Sequence, residues 1–290
     1  MHALAGQSGD EKYYEFVRAR FGLDQPLGTQ LWIYLARVVR GDLGYSLSHQ
    51  QSVAAVIFGR LPATLLLMLT AVTLSGVAGV ALGVEAARRE GGLLDRAINA
   101  VALLGYSVPS FSIGHLLLII FALHLGLFPT QNMTSSGRDL SGVDYWLDVL
   151  AHLALPAATL TIVYLAPVMR LTRTEMLGAL GEPYVTTARA KGVGEGRVLY
   201  GHALRNALLP VVTLVGSDFG MLLSGAALVE TVFAWPGLGR LIIESMAARD
   251  YPVLLGILLL SSVCVAAANL VVDVVYSLLD PRIGYGPQRR

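Results

Sequence analysis

Five long stretches of this 290-residue chain are almost free of charge, and that pattern limits its fold more than any motif does. Pro62–Val84, Ala97–Leu127 and Val149–Met169 contain no Asp, Glu, Lys or Arg. Ala207–Val229 carries only Asp218, and Val253–Leu279 only Asp273. A hydrocarbon core about 30 Å thick is crossed by roughly 20 apolar residues in a helix. Lipid offers exposed backbone groups no partner, so each crossing has to be helical. The second stretch is too long for one straight crossing. Gly105-Tyr106-Ser107-Val108-Pro109 therefore either kinks it or marks where an interfacial piece turns into the membrane. Charged residues make up 14% of the chain, where about 25% is usual for globular domains. Cys264 is the single cysteine, which excludes an internal disulfide framework. A net charge of +1 gives no reason to expect nucleic acid as a partner. The expectation is an all-α integral membrane protein with five transmembrane helices.

Basic residues orient the spans. One alternating set of connections comprises Glu85–Arg96, Arg170–Asn206 and the tail Asp280–Arg290, and it holds twelve Lys and Arg. The other set, Phe128–Asp148 and Glu230–Pro252, holds three. The positive-inside bias puts the first set and the C-terminus in the cytoplasm. Residues 62–279 then form the transmembrane domain, with 170–206 as its cytoplasmic loop and 280–290 as a cytoplasmic tail. Residues 1–61 fall outside as an extracytoplasmic segment. Within it Leu27, Leu31, Tyr34, Leu35 and Val38 recur as in an amphipathic helix lying on a surface. Gly41-Asp42-Leu43-Gly44 ends that helix. No apolar run precedes the segment, so it either translocates unaided or follows a helix absent from this sequence.

Common catalytic signatures do not occur. Neither lysine, Lys12 or Lys191, ends a phosphate-binding loop, and no H-E-x-x-H or G-x-S-x-G is present. The spacings of His115, His124 and His152 match no metal motif, so no cofactor, metal site or catalytic residue is expected. The informative segment is 170–206. Gly181-Glu182-Pro183 reads as a helix start with Pro in the first turn, where its missing N–H costs nothing. Tyr184 to Lys191 continues the helix with small residues at Ala188 and Ala190. Gly192, Gly194 and Gly196 break it, and Arg197–Asn206 runs helically into the next span. The shape suits docking against a soluble protein. Alanines would allow close approach, and Arg189, Lys191 and Arg205 would offer charge-assisted contacts. A plain connecting loop is the competing reading.

The stretch Glu182-Pro183-Tyr184-Val185-Thr186-Thr187-Ala188-Arg189-Ala190-Lys191-Gly192, followed by His202-Ala203-Leu204-Arg205-Asn206-Ala207-Leu208-Leu209-Pro210, closely resembles the EAA loop. That loop belongs to the membrane subunits of binding-protein-dependent ABC importers, and this version is similar to the dipeptide and oligopeptide branch. Further matches are Gly41–Gly44, Arg60-Leu61-Pro62-Ala63-Thr64-Leu65, Ser107-Val108-Pro109-Ser110-Phe111 and Glu230-Thr231-Val232-Phe233-Ala234-Trp235-Pro236-Gly237-Leu238-Gly239. Arg249-Asp250-Tyr251-Pro252 and Asp280-Pro281-Arg282-Ile283 complete the series. The resemblance implies the ABC type I importer fold and a permease that translocates peptides or similar small solutes across a bacterial cytoplasmic membrane. It implies a second homologous permease subunit, two ATP-binding cassette subunits and an extracytoplasmic solute-binding protein as partners. It further implies that Glu182, Tyr184, Ala188, Arg189, Ala190, Lys191, Gly192, Arg205 and Asn206 form the loop coupled to the ATPases. Relatives normally begin with a further helix, so the first of six is expected upstream of Met1, with a true five-helix form as the alternative.

Asp218 lies near the middle of its span, where an ionised carboxylate is costly. It either lines the pathway or is satisfied inside the bundle. Asp273 is expected to pair with Arg282. Trp235-Pro236-Gly237 reads either as an interfacial anchor or as a re-entrant segment shaping the outer gate. A stand-alone secondary transporter or channel is the rival function. It would show internal repeats and a fuller set of buried acids.

Overall fold

A computed structural model describes residues 25–137 and 139–279, with the side chains of 217–225 and 276–279 excepted. The expectations at Asp218 and at the Asp273–Arg282 pair therefore fall on side chains outside the described residues. Four helices are long and apolar enough to cross a membrane, and a bent pair adds a fifth crossing if it counts as one. In order, α1 is Leu27–Val39, β1 is Tyr45–Ser46 and β2 is Gln51–Ser52. Helix α2 is Val53–Arg88, α3 is Leu93–Ser107 and α4 is Ser110–Leu117. A π-helical segment, Leu118–His124, extends α4. Helix α5 is Gly142–Leu180, and the short α6 is Pro183–Ala190. A helical turn at Glu195–Arg197 and a π-helical segment at Val198–Ala203 lead into α7, Leu204–Val232. Then come α8, Leu238–Ala248, and α9, Tyr251–Leu279.

Two boundaries differ from the sequence expectation. Helix α2 starts at Val53 rather than at Pro62, with the Ser52 side chain accepting from the Ala55 N–H at 3.3 Å. Val53, Val56 and Ile57 are buried against Leu238, Leu241, Val253 and Ile257, so the apolar face of α2 begins well before its uncharged run. Arg60 is accommodated there by Glu244 at 3.7 Å. The helix has 36 residues, about 54 Å at 1.5 Å per residue, and so exceeds a bilayer core. The second correction concerns 170–206. Its first part is no loop, because α5 continues to Leu180 and stops only at Gly181. Nothing between Arg170 and Leu180 breaks a helix, and Met176 and Ala179 keep one face buried.

The expected break in the second apolar stretch is present. Helices α3 and α4 meet at Val108 and Pro109 with a bend of 102°. The core is centred on α2 crossing α5. Gly79 and Gly83 make that crossing close: a Cβ on Gly79 would come within 2.8 Å of Val168, and one on Gly83 within 2.6 Å of Thr172. Small residues four apart let membrane helices approach in this way. The β-hairpin is held to the start of α9 by Ser46, whose hydroxyl donates to Asp250 at 2.5 Å.

Candidate functional site

Helix α6 is closed by local chemistry at both ends. Pro183 occupies its first turn, and the Val185 N–H returns to the Glu182 carbonyl at 3.1 Å. At the other end Gly192 has φ +77°, a left-handed conformation that glycine adopts at little cost. The Gly192 N–H donates to the Arg189 carbonyl at 2.9 Å, and the Val193 N–H to the Ala188 carbonyl at 3.1 Å. Those two bonds are the pair that defines a Schellman cap, and Val193 packs on the cluster containing Ala188 as its apolar closure. Gly192 thus ends the helix, as its sequence position suggests.

Val185 and Ala188 form the buried face and pack with Val198, Leu180 and Val193. Ala188 therefore serves close packing within the chain and is not an open contact residue, which corrects one sequence expectation. Glu182, Tyr184, Arg189, Ala190 and Lys191 are exposed. Arg189 is already engaged: its Nε and Nη2 donate to the two Glu195 carboxylate oxygens at 3.2 and 2.7 Å, bracing the Gly192 turn. Those bonds hold the Glu195 carboxyl below its usual range. The Asn206 amide donates to the Tyr184 hydroxyl at 2.8 Å, joining α6 to the start of α7. The two halves of the motif quoted above are thereby in contact, and Arg205 lies beside Asn206 in the first turn of α7.

A second constellation sits at the opposite end of the spans, between α7 and α8. Trp235 is fully buried, and its indole N–H donates to the Ala63 carbonyl at 2.9 Å. An anchor at a membrane surface would keep the ring edge exposed, so that reading of Trp235 is set aside. The first N–H groups of α8 have no partner within their own helix. Two side chains from other helices supply them. The Thr64 hydroxyl accepts from the Leu238 N–H at 2.7 Å and donates to Glu230 at 2.8 Å. The other Glu230 oxygen accepts from the Arg240 N–H at 2.9 Å. A carboxylate at a helix N-terminus is also favoured by the helix dipole. Gly237 gives Glu230 its room, since a Cβ there would overlap the carboxylate; a Cβ on Gly239 would come within 2.5 Å of the Ala227 Cα. Pro236 lies between Trp235 and this cap. Arg240 closes the elbow by donating to the Ala234 carbonyl at 2.8 Å and to Glu244 at 2.7 Å.

Glu230 and Thr64 stand in motifs quoted for the resemblance but are given no site role by sequence. The available signal was an acid placed directly after an apolar run and five residues before a Trp-Pro-Gly turn. Nothing in the sequence connects it with Thr64, 166 residues away.

Residues 79–285 match the family described as binding-protein-dependent transport system inner membrane component. This chain belongs to that family. A Brucella suis protein bearing the name peptide permease protein is 43% identical over 268 residues, which cover 92% of this chain and 83% of the relative. The glutathione transport system permease protein of Escherichia coli (strain K12) is 42% identical over 282 residues, covering 97% and 88%. Among solved structures, an amino acid ABC transporter crystallised with histidines superposes with a TM-score of 0.55 at 16% identity, over 76% of this chain and 92% of that one. An inward-facing MetNI methionine ABC transporter gives 0.56 at 16% identity, over 76% and 96%. These structures establish the fold as that of type I importer membrane subunits. The protein is a multi-pass membrane permease component of an ABC importer, and the stand-alone transporter or channel is excluded.

Proposed function

We propose that this permease moves peptides or peptide-like solutes of the size of glutathione inward across the cytoplasmic membrane. It pairs with a second homologous permease subunit, and ATP is hydrolysed on two separate ATP-binding subunits. An external solute-binding protein delivers the substrate. The loop set with twelve basic residues, which includes α6, faces the cytoplasm, as does the C-terminus. Helix α6 is the part that meets the ATP-binding subunit. The observation carrying this reading is the construction of α6: a capped, amphipathic helix with one face buried on its own chain and its polar face exposed on the basic side. The substrate class rests on the relatives named for peptide and glutathione transport.

The test is reconstitution of the permease pair with its ATP-binding subunits and binding protein in liposomes. Radiolabelled glutathione and a radiolabelled tripeptide are the probes. ATP-dependent accumulation of at least one, abolished when Gly192 is replaced by Val, supports the proposal. Accumulation of neither, with the complex intact and hydrolysing ATP, contradicts the substrate class.

A further inference from the structure

The cytoplasmic part of α5 is continuous with the spanning part and turns through Gly181 into α6. Around it Val84 and Ala87 of α2, Met176 and Ala179 of α5, and Leu199, Ala203 and Ala207 form one apolar cluster. The Gly83–Thr172 approach holds α2 close against α5 at this level. The end of α5, the end of α2, the start of α7 and α6 thus make one block.

Arg173 reaches out of that block to α3. Its Nε and Nη2 donate to the two oxygens of Asp95 at 2.7 and 2.8 Å. The Asp95 carboxylate is buried and also accepts from the Gly91 N–H at 3.0 Å and the Asn99 amide at 2.7 Å. Four donors converge on one carboxylate at the first turn of α3. Elsewhere α3 meets α5 through apolar contacts among Ala102, Ala166, Met169 and Ile98, which tolerate a small shear between packed helices. A bidentate fork fixes direction as well as distance and does not. The bent pair is gripped at its far end too. Gly114 of α4 lies so close to Phe233, beside the elbow, that a Cβ there would come within 3.2 Å of the ring.

We propose that Asp95 and Arg173 are positioning residues of the transport cycle: they make α3 follow α5 and α6, so that movement at the docking helix reaches the bent pair and through it the elbow. The proposal rests on the reading of α6 as the ATPase contact. Without the fork, the docking block moves while α3 lags, and ATP is spent with less substrate carried.

The experiment uses the full reconstituted complex and measures ATP hydrolysed per molecule of probe imported, with radiolabelled glutathione or tripeptide as the probe. Arg173→Met leaves the buried Asp95 carboxylate with only its Gly91 and Asn99 donors, and Asp95→Asn takes the charged partner from the half-buried Arg173, so both lower the amount of assembled complex. The double variant removes both partners, which is close to neutral for stability. Its assembly and its ATPase rate return toward wild type, while its ATP-to-import ratio stays raised by about threefold or more, the size of change typical for broken coupling. Arg173→Lys keeps the charge and loses the fork, and it raises the ratio by about twofold. A double variant that regains the wild-type ratio together with assembly would show a purely structural role and overturn the proposal. An unchanged ratio in Arg173→Lys would do the same if the double variant fails to assemble. Absence of any cross-link between α6 and the ATP-binding subunit in the wild-type complex would instead count against the reading of α6 itself.

Discussion

The two constellations are built in opposite ways. The α6 unit is local and exposed: its cap spans six residues, Arg189 meets Glu195 six residues on, and its longest polar tie joins Tyr184 and Asn206, 22 residues apart. The elbow is remote and buried: Thr64, Ala63, Glu230, Trp235 and Leu238 exchange bonds across 166 to 174 residues. A unit made of short-range bonds keeps its shape while the rest of the protein moves, which suits a surface that has to meet a partner. A unit made of long-range bonds holds α2, α7 and α8 in one arrangement. Their difference predicts different failures, instability when the elbow is damaged and lost coupling when α6 is.

The largest effect is expected at Glu230. Replacing it with Ala leaves the Thr64 hydroxyl and the Arg240 N–H without their acceptor inside the protein. The cost is about 3 kcal/mol, seen as a lower melting temperature in detergent and reduced membrane abundance. Wild-type melting in Glu230→Ala would break the claim that the elbow is held by its buried acid. Gly192→Ala comes next. It places a Cβ in the left-handed region at about 1 kcal/mol. Abundance should stay near wild type while ATP-driven import falls; equal loss of both would erase the contrast between the two regions. Tyr184→Phe, which removes one exposed hydrogen bond, should cost about 0.5–1 kcal/mol and reduce import less than Gly192→Ala does. The smallest effect is that of pH. Glu195 has a carboxyl depressed by Arg189, so the pair's contribution is present above the unfolded carboxylate pKa and is lost only as pH falls through the lower folded one. ATPase association should therefore be constant between about pH 8 and about pH 6. Weakening across that interval would point to a different titrating group at the contact.

The spans, the break before Pro109 and the helix closed by Gly192 were legible because each depends on residues adjacent in sequence. Charge absence marks a span, the Val108-Pro109 pair interrupts a helix, and glycine adopts positive φ. The start of α2 was not legible from charge alone, since Arg60 lies inside the helix and is neutralised by Glu244, which comes much later in the chain. Ala188 looked like a contact residue because composition does not say which face of a short helix is buried. Glu230, Thr64 and the Asp95–Arg173 fork were illegible as partners for the same reason. Each is an ordinary polar residue until the fold brings its counterpart from another helix.

The most direct test of the docking role is site-specific cross-linking in the assembled complex on a Cys264→Ser background. Cysteines replace Thr186 or Ala190 on the exposed side of α6, and Met246 on α8 serves as the opposite-end control. The predicted result is cross-linking to the ATP-binding subunit from positions 186 and 190 and none from 246. Cross-linking from 246, or none from either α6 position in a complex that hydrolyses ATP, would contradict it.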